Sequence, residues 1–178
     1  MNASSNLQKN KVIFIAGGGT GGHIYPGIAI AKCLQTLSNV DVHFVGTREG
    51  LETKIVPKEG FALHLIQGGK LNMAGHTWTK IKTLLKLPVG FLQAIGLILK
   101  YKPIAILGVG GYASAPVVLM AAIFNRIGVY RGQTAIWEPN AHPGLANRWL
   151  SKVVDNCFVV FKKKKKYLNS KNIMVLGM

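Results

Sequence analysis

The chain has 178 residues, 49% of them hydrophobic, which suffices for one domain with a full core, is too short for two of ordinary size, and excludes a chain disordered throughout. Twenty-two Lys and Arg against six Asp and Glu leave a formal charge of +16, so the expected partner is anionic: nucleic acid, a phosphorylated small molecule or an anionic lipid surface. No RNP-like, zinc or helix-turn-helix pattern accompanies the charge, so nucleic acid is not expected, and no metal site or cofactor is expected either.

Residues 1–10 read as a flexible, polar N-terminus without the apolar segment of a secretory signal, and residues 11–178 as the folded unit. The first strand is Lys11 to Ala16, an apolar run that suits a buried parallel strand. A helix from about Ile24 to Leu37, a strand from Asp41 to Val45, a helix from Leu51 to Lys58 and a strand from Ala62 to Ile66 follow. After a polar loop, Gln67 to His76, comes a long helical segment, Thr77 to Tyr101, which Pro88 is expected to kink or divide.

Ile104 to Gly108 is the fourth strand, and Ser114-Ala-Pro116 supplies a capping hydroxyl and an early proline for a helix over Val117 to Ile127. Thr134 to Trp137, Cys157 to Val160 and Ile173 to Leu176 complete the strands, with a helix from Pro143 to Ser151 between the first two. Lys162 to Lys166 is a solvated charge run. The apolar stretch from Pro103 to Asn125, about 23 residues, is long enough to cross a bilayer but is broken by glycines and Pro116. Cys33 and Cys157 are expected as buried free thiols in a cytoplasmic protein. This alternation predicts an α/β fold, a doubly wound Rossmann-like parallel sheet whose ligands sit beyond the carboxyl ends of the strands.

Three loops at those ends carry chemistry. Gly17-Gly18-Gly19-Thr20-Gly21-Gly22-His23 leaves the first strand and opens the first helix, where backbone N–H groups and the helix N-terminus favour a phosphate. Gly17, Gly19 and Gly22 satisfy GxGxxG, but the acid that a dinucleotide site requires near the end of the second strand is lacking: Asp41 lies at its start and Glu49 in the loop beyond. Gly108-Val109-Gly110-Gly111-Tyr112 is a second glycine turn, able to hold a diphosphate from the opposite side or to serve only as a tight turn. Glu138-Pro139-Asn140-Ala141-His142-Pro143-Gly144 adds a carboxylate, an amide and an imidazole.

These motifs, with Pro26-Gly27, Gly46-Thr47, Leu51-Glu52, Val56-Pro57 and Gly144-Leu145-x-Asn147, stand in the order found in the MurG family of glycosyltransferases, family 28. From Lys11 to Met178 the chain resembles the N-terminal, acceptor-side half of that family's GT-B fold. The resemblance implies inverting transfer of N-acetylglucosamine from UDP-GlcNAc to undecaprenyl-pyrophosphoryl-MurNAc-pentapeptide in cell-wall synthesis. It casts His23 as the general base with Glu138 as rival, and Gly18, Gly19, Thr20, Gly21, Gly22, Gly110, Gly111, Tyr112 and Asn140 as substrate-binding residues. Thr20, Gly21, Gly22 and Asn140 match positions that reach the donor, and Tyr112 either binds acceptor or packs.

The resemblance also implies peripheral attachment to the cytoplasmic face of the plasma membrane. The long helix is suited to it, with Lys80, Lys82 and Lys86 beside Ile81, Leu84, Leu85, Leu87, Phe91 and Leu92. Pro139 replaces the family's usual glutamine. The chain stops at Met178, before the donor-binding domain, so it is expected to be a truncated copy or one half of a split enzyme and inactive without a separate C-terminal half. The alternatives are a dinucleotide-binding module and a non-catalytic membrane-docking protein.

Overall fold

The computed structural model describes residues 11–68, 77–140, 142–161, 168–170 and 172–176, with the side chains of 77–86 excepted. Twelve elements alternate: β1 (Lys11–Gly17), α1 (Gly21–Leu37), β2 (Val40–Thr47), α2 (Glu52–Lys58), β3 (Ala62–Ile66), α3 (Thr77–Tyr101), β4 (Ala105–Gly110), α4 (Ser114–Arg126), β5 (Gln133–Glu138), α5 (Leu145–Leu150), β6 (Asn156–Val159) and β7 (Asn172–Val175). The seven strands form one parallel sheet in the order β3-β2-β1-β4-β5-β6-β7. Chain order reverses between β1 and β4, and a crevice opens there at the carboxyl ends.

Side chains alternate across the sheet and build two cores. Phe14 and Ala16 of β1 join Val45, Ile106 and Ile136 against α3, α4 and α5, through Ala94, Ile98, Val117, Val118, Ala121 and Leu150. Ile15, pointing the other way, joins Val42, Phe44 and Val109 against α1 and α2. Helix α1 buries Ile24, Gly27, Ile28 and Ala31, a spacing of three and four that makes one face. On its side of the sheet an apolar groove of about 640 Å³ remains over β4 to β6, lined by Ile30, Leu34, Leu107, Ala135, Trp137 and Phe158.

Several expectations need correction. Pro88 does not divide α3, which runs as one helix from Thr77 to Tyr101; Ala94 and Ile98 are buried in the core beyond it, so packing outweighs one lost backbone donor. Cys33 is exposed because it lies two residues beyond Ala31, off the buried face of α1; Cys157 is buried as expected. Ser114 is the first residue of α4 rather than its cap, and its hydroxyl is buried with no partner among the described residues. Helix α1 starts at Gly21, three residues early, so Gly21, Gly22 and His23 form its first turn. The N-terminal ten residues, most of the 67–76 loop, Ala141, the 162–166 lysine run and the side chains of Lys80, Ile81, Lys82, Leu84, Leu85 and Lys86 lie outside the described residues.

Candidate functional site

The two glycine loops meet at the crevice, backbone against backbone. The Gly18 N–H donates to the Gly110 carbonyl at 3.2 Å, and a Cβ on Gly17 would stand 2.5 Å from that same oxygen. Gly111, at φ +83°, lies so close to Gly18 that a Cβ would strike its backbone. Glycine is therefore required on both sides simply to let the loops touch.

Across from them lies a cleft of about 290 Å³ lined by His23, Gly110, Gly111, Tyr112, Glu138, Pro139 and Asn140 together with the start of α5. The structure thus gathers His23, Gly110, Gly111, Tyr112, Glu138 and Asn140 into one place. Gly18, Gly19, Thr20, Gly21 and Gly22 do not line this cleft; they form the turn behind it and the first turn of α1.

His23 is half-buried, its ring lying against Gly110. Its Nδ1 is buried and has no hydrogen-bond partner among the described residues. A buried ring nitrogen without a partner is costly unless a ligand completes it. Thr20 caps α1 only through its backbone: its carbonyl accepts from the His23 and Ile24 N–H groups, and its side chain makes no capping bond. The N–H groups of the cap and first helical residues, Thr20, Gly21 and Gly22, have no hydrogen-bond partner among the described residues and can face a ligand or water.

Glu138 ends β5 with 1% exposure, and both oxygens are engaged. Oε1 accepts from the Asn140 backbone N–H and Nδ2, both at 2.9 Å. Oε2 accepts from the Gly144 N–H at 2.9 Å and from Asn147 Nδ2 at 3.0 Å. Four donors converging on one carboxylate make it the tie that shapes the 138–147 loop. Tyr112 is exposed at the rim, and His142, within the 138–147 loop, is exposed.

One residue without an assigned role emerges from the geometry. Glu52, at the start of α2 and 1% exposed, accepts from the Gly19 N–H at 2.7 Å through Oε2, and from the Thr47 N–H and hydroxyl at 2.8 and 3.0 Å through Oε1. In a dinucleotide site the acid after the second strand faces the ribose; here the acid beyond β2 is turned into the protein. In the sequence Glu52 stands out as part of the Leu51-Glu52 motif and as an acid at the first position of a short helix, which reads as ordinary dipole complementarity and says nothing of a contact with Gly19.

Residues 13–159 match the Glycosyltransferase family 28 N-terminal domain. A UDP-N-acetylglucosamine--N-acetylmuramyl-(pentapeptide) pyrophosphoryl-undecaprenol N-acetylglucosamine transferase of Bdellovibrio bacteriovorus is 59% identical over 175 residues, covering 97% of this chain and 46% of the relative. The enzyme of the same name from Myxococcus xanthus is 39% identical, with 93% and 42% covered. The crystal structure of Acinetobacter baumannii MurG superposes with a TM-score of 0.75 at 26% identity over 93% of this chain and 45% of that one. A UDP-N-acetylglucosamine 2-epimerase shares the fold at 14% identity and a TM-score of 0.63. The chain spans less than half the length of these relatives.

Proposed function

Because the chain belongs to glycosyltransferase family 28 and carries its N-terminal domain, with the Rossmann-like fold of one half of a GT-B enzyme, we propose that it forms the acceptor side of a transferase that moves N-acetylglucosamine from UDP-GlcNAc to undecaprenyl-pyrophosphoryl-MurNAc-pentapeptide. The observation that carries this reading is His23: an imidazole whose buried Nδ1 has no partner among the described residues, held at the junction of both glycine loops and the 138–147 loop.

In this reading the acceptor hydroxyl gives its proton to His23 while its oxygen attacks the anomeric carbon of the donor, and UDP leaves with the electrons of the broken C–O bond on its phosphate. Imidazole changes charge nearest neutral pH among the side chains, which suits a general base. Glu138 serves as the positioning residue that presents Asn140, since its oxygens are already occupied. The open first turn of α1, with Thr20, Gly21 and Gly22, and the Gly110-Gly111 turn supply N–H groups for diphosphate charge. Nucleotide contacts beyond Thr20, Gly21, Gly22 and Asn140 belong to a C-terminal donor half.

We assign the chain to the cytoplasmic face of the plasma membrane as a peripheral protein. Val89, Leu92 and Leu99 are exposed along one stripe of α3, spaced three and seven apart, whereas half-buried Leu87 and Phe91 fall at three- and four-residue spacing with buried Ala94 and Ile98 and face the core. Among the described residues no helix is long and apolar enough to cross a membrane. An apolar stripe on a chain of charge +16 suits an anionic leaflet.

The test is reconstitution. The chain is mixed with the C-terminal half of the Bdellovibrio relative, and transfer of radiolabelled GlcNAc to the lipid acceptor is measured. Activity is expected from the mixture, none from the chain alone, and a loss of about 10²-fold or more in His23→Ala. Equal transfer by the His23→Ala mixture would remove the base assignment, and a mixture that neither transfers nor binds UDP-GlcNAc would remove the reading.

A further inference from the structure

Resting on that reading of the site, we propose that Glu52 is the positioning residue of the first glycine loop, a built-in anion that occupies the loop's own amide and thereby sets His23. A glycine amide after a β-strand and before a helix is where a ligand phosphate would ordinarily be held. At Gly19 that amide is taken by a carboxylate of the protein, from a residue 33 positions away in the chain.

The seat is made for this carboxylate. A Cβ at Gly18 or Gly50 would collide with its carboxyl group, and one at Gly46 would stand 2.5 Å from its Cγ. Thr47, itself buried at the end of β2, completes the seat with its N–H and hydroxyl. An acid that only complemented the dipole of α2 would stay in water at the helix end. The Glu52 side chain instead turns inward and ties together the β1–α1 loop, the end of β2 and the start of α2.

Two consequences follow for the site. Gly19 immediately precedes Thr20, the cap of α1, and His23 lies in the first turn; holding Gly19 fixes where α1 begins and hence where the imidazole meets Gly110. The negative charge beneath Gly19 also turns a ligand's diphosphate away from Gly18 and Gly19, toward the open amides of Gly21 and Gly22 and the Gly110-Gly111 turn.

The test uses this chain without substrate, labelled with ¹⁵N-glycine and ¹³C-histidine, so its outcome does not depend on the transferase reading. In Glu52→Gln the side-chain amide must face one of the donors, and Gly19 N–H exchange is expected to accelerate by at least about tenfold. The His23 ring resonances should move while those of His43 and His64, on the other face of the sheet, stay in place. Glu52→Asp should restore part of both effects. If Glu52→Gln does not fold, Thr47→Val, which removes one donor to the other oxygen of the same carboxylate, should move His23 in the same direction by less. Unchanged Gly19 exchange, or a freed Gly19 with an unmoved His23, would overturn the proposal.

Discussion

The His23 imidazole rests on the bare α-carbon of Gly110: a Cβ there would stand 2.6 Å from both Nδ1 and Cε1. One helix start and one strand end thus share a contact that admits no side chain, and Gly110 also sits at φ +104°. Gly110→Ala should displace the ring and destabilise the fold by about 1–3 kcal/mol. Urea unfolding measures the second effect and the His23 ring resonances the first. A variant of wild-type stability with unmoved resonances would show that the contact is loose.

Glu138→Gln separates a scaffold from a base. One oxygen that accepts two hydrogen bonds becomes a donor, so about 1–3 kcal/mol of stability should be lost. In the reconstituted assay the rate should fall while the pH profile keeps its shape, because His23 still takes the proton. A profile that loses its acidic limb would instead make Glu138 the base.

Gly22 and Gly111 should answer differently to the same substitution. Gly22 lies in the first turn of α1 with only Thr20 Oγ1 near a Cβ, at 3.8 Å, so Gly22→Ala should stabilise the chain by up to about 1 kcal/mol. It should nevertheless weaken pyrophosphate binding in calorimetry, since the added methyl stands where a ligand approaches the helix end. Gly111→Ala meets the backbone of Gly18 at φ +83° and should cost about 2–4 kcal/mol by urea unfolding.

His43 and His64 face each other across β2 and β3, with His43 Nδ1 3.0 Å from His64 Nε2, packed on Phe14 and Tyr101. Burial lowers both below the usual 6.5, assisted at His64 by the charges of His43 and Lys100 and opposed at His43 by Asp41. Folded-state values below the unfolded ones mean that the unfolded chain binds more protons between them. Stability should therefore be lost as pH falls from about 6.5 toward the lowered values, and be retained above. Urea midpoints across that window should show the decline, and His64→Gln should flatten it.

Vesicle sedimentation tests the surface reading. Binding is expected to anionic but not zwitterionic vesicles, to weaken with salt, and to fall in Leu92→Glu, which places a charge on a residue 68% exposed. Equal binding of the variant would move the contact elsewhere on the chain.

The sheet, its strand count and the three loops were legible because apolar runs, glycine turns and helix-length segments are local signals. What the sequence hid is non-local. Nothing near Gly19 announces that its amide is satisfied from Glu52, and nothing near Glu138 tells a catalytic acid from one ringed by donors of its own loop. The extra turn of α1 was missed because Gly21 and Gly22 read as loop, although a helix docked through Ile24, Ile28 and Ala31 carries them. Pro88 reads as a kink or a division because helix propensity does not see Ala94 and Ile98 seated in the core, where the helix continues undivided.

The hydrogen bond from Gly18 to Gly110 joins residues about ninety positions apart, across the β1–β4 pairing where chain order reverses. Such a closure comes at a high entropic cost and is slow to form. During folding β1, β2 and β3 can pair while His23 still has no Gly110 to lie against. The cleft therefore appears only when the fourth strand arrives, and hydrogen exchange at Gly18 reports that arrival.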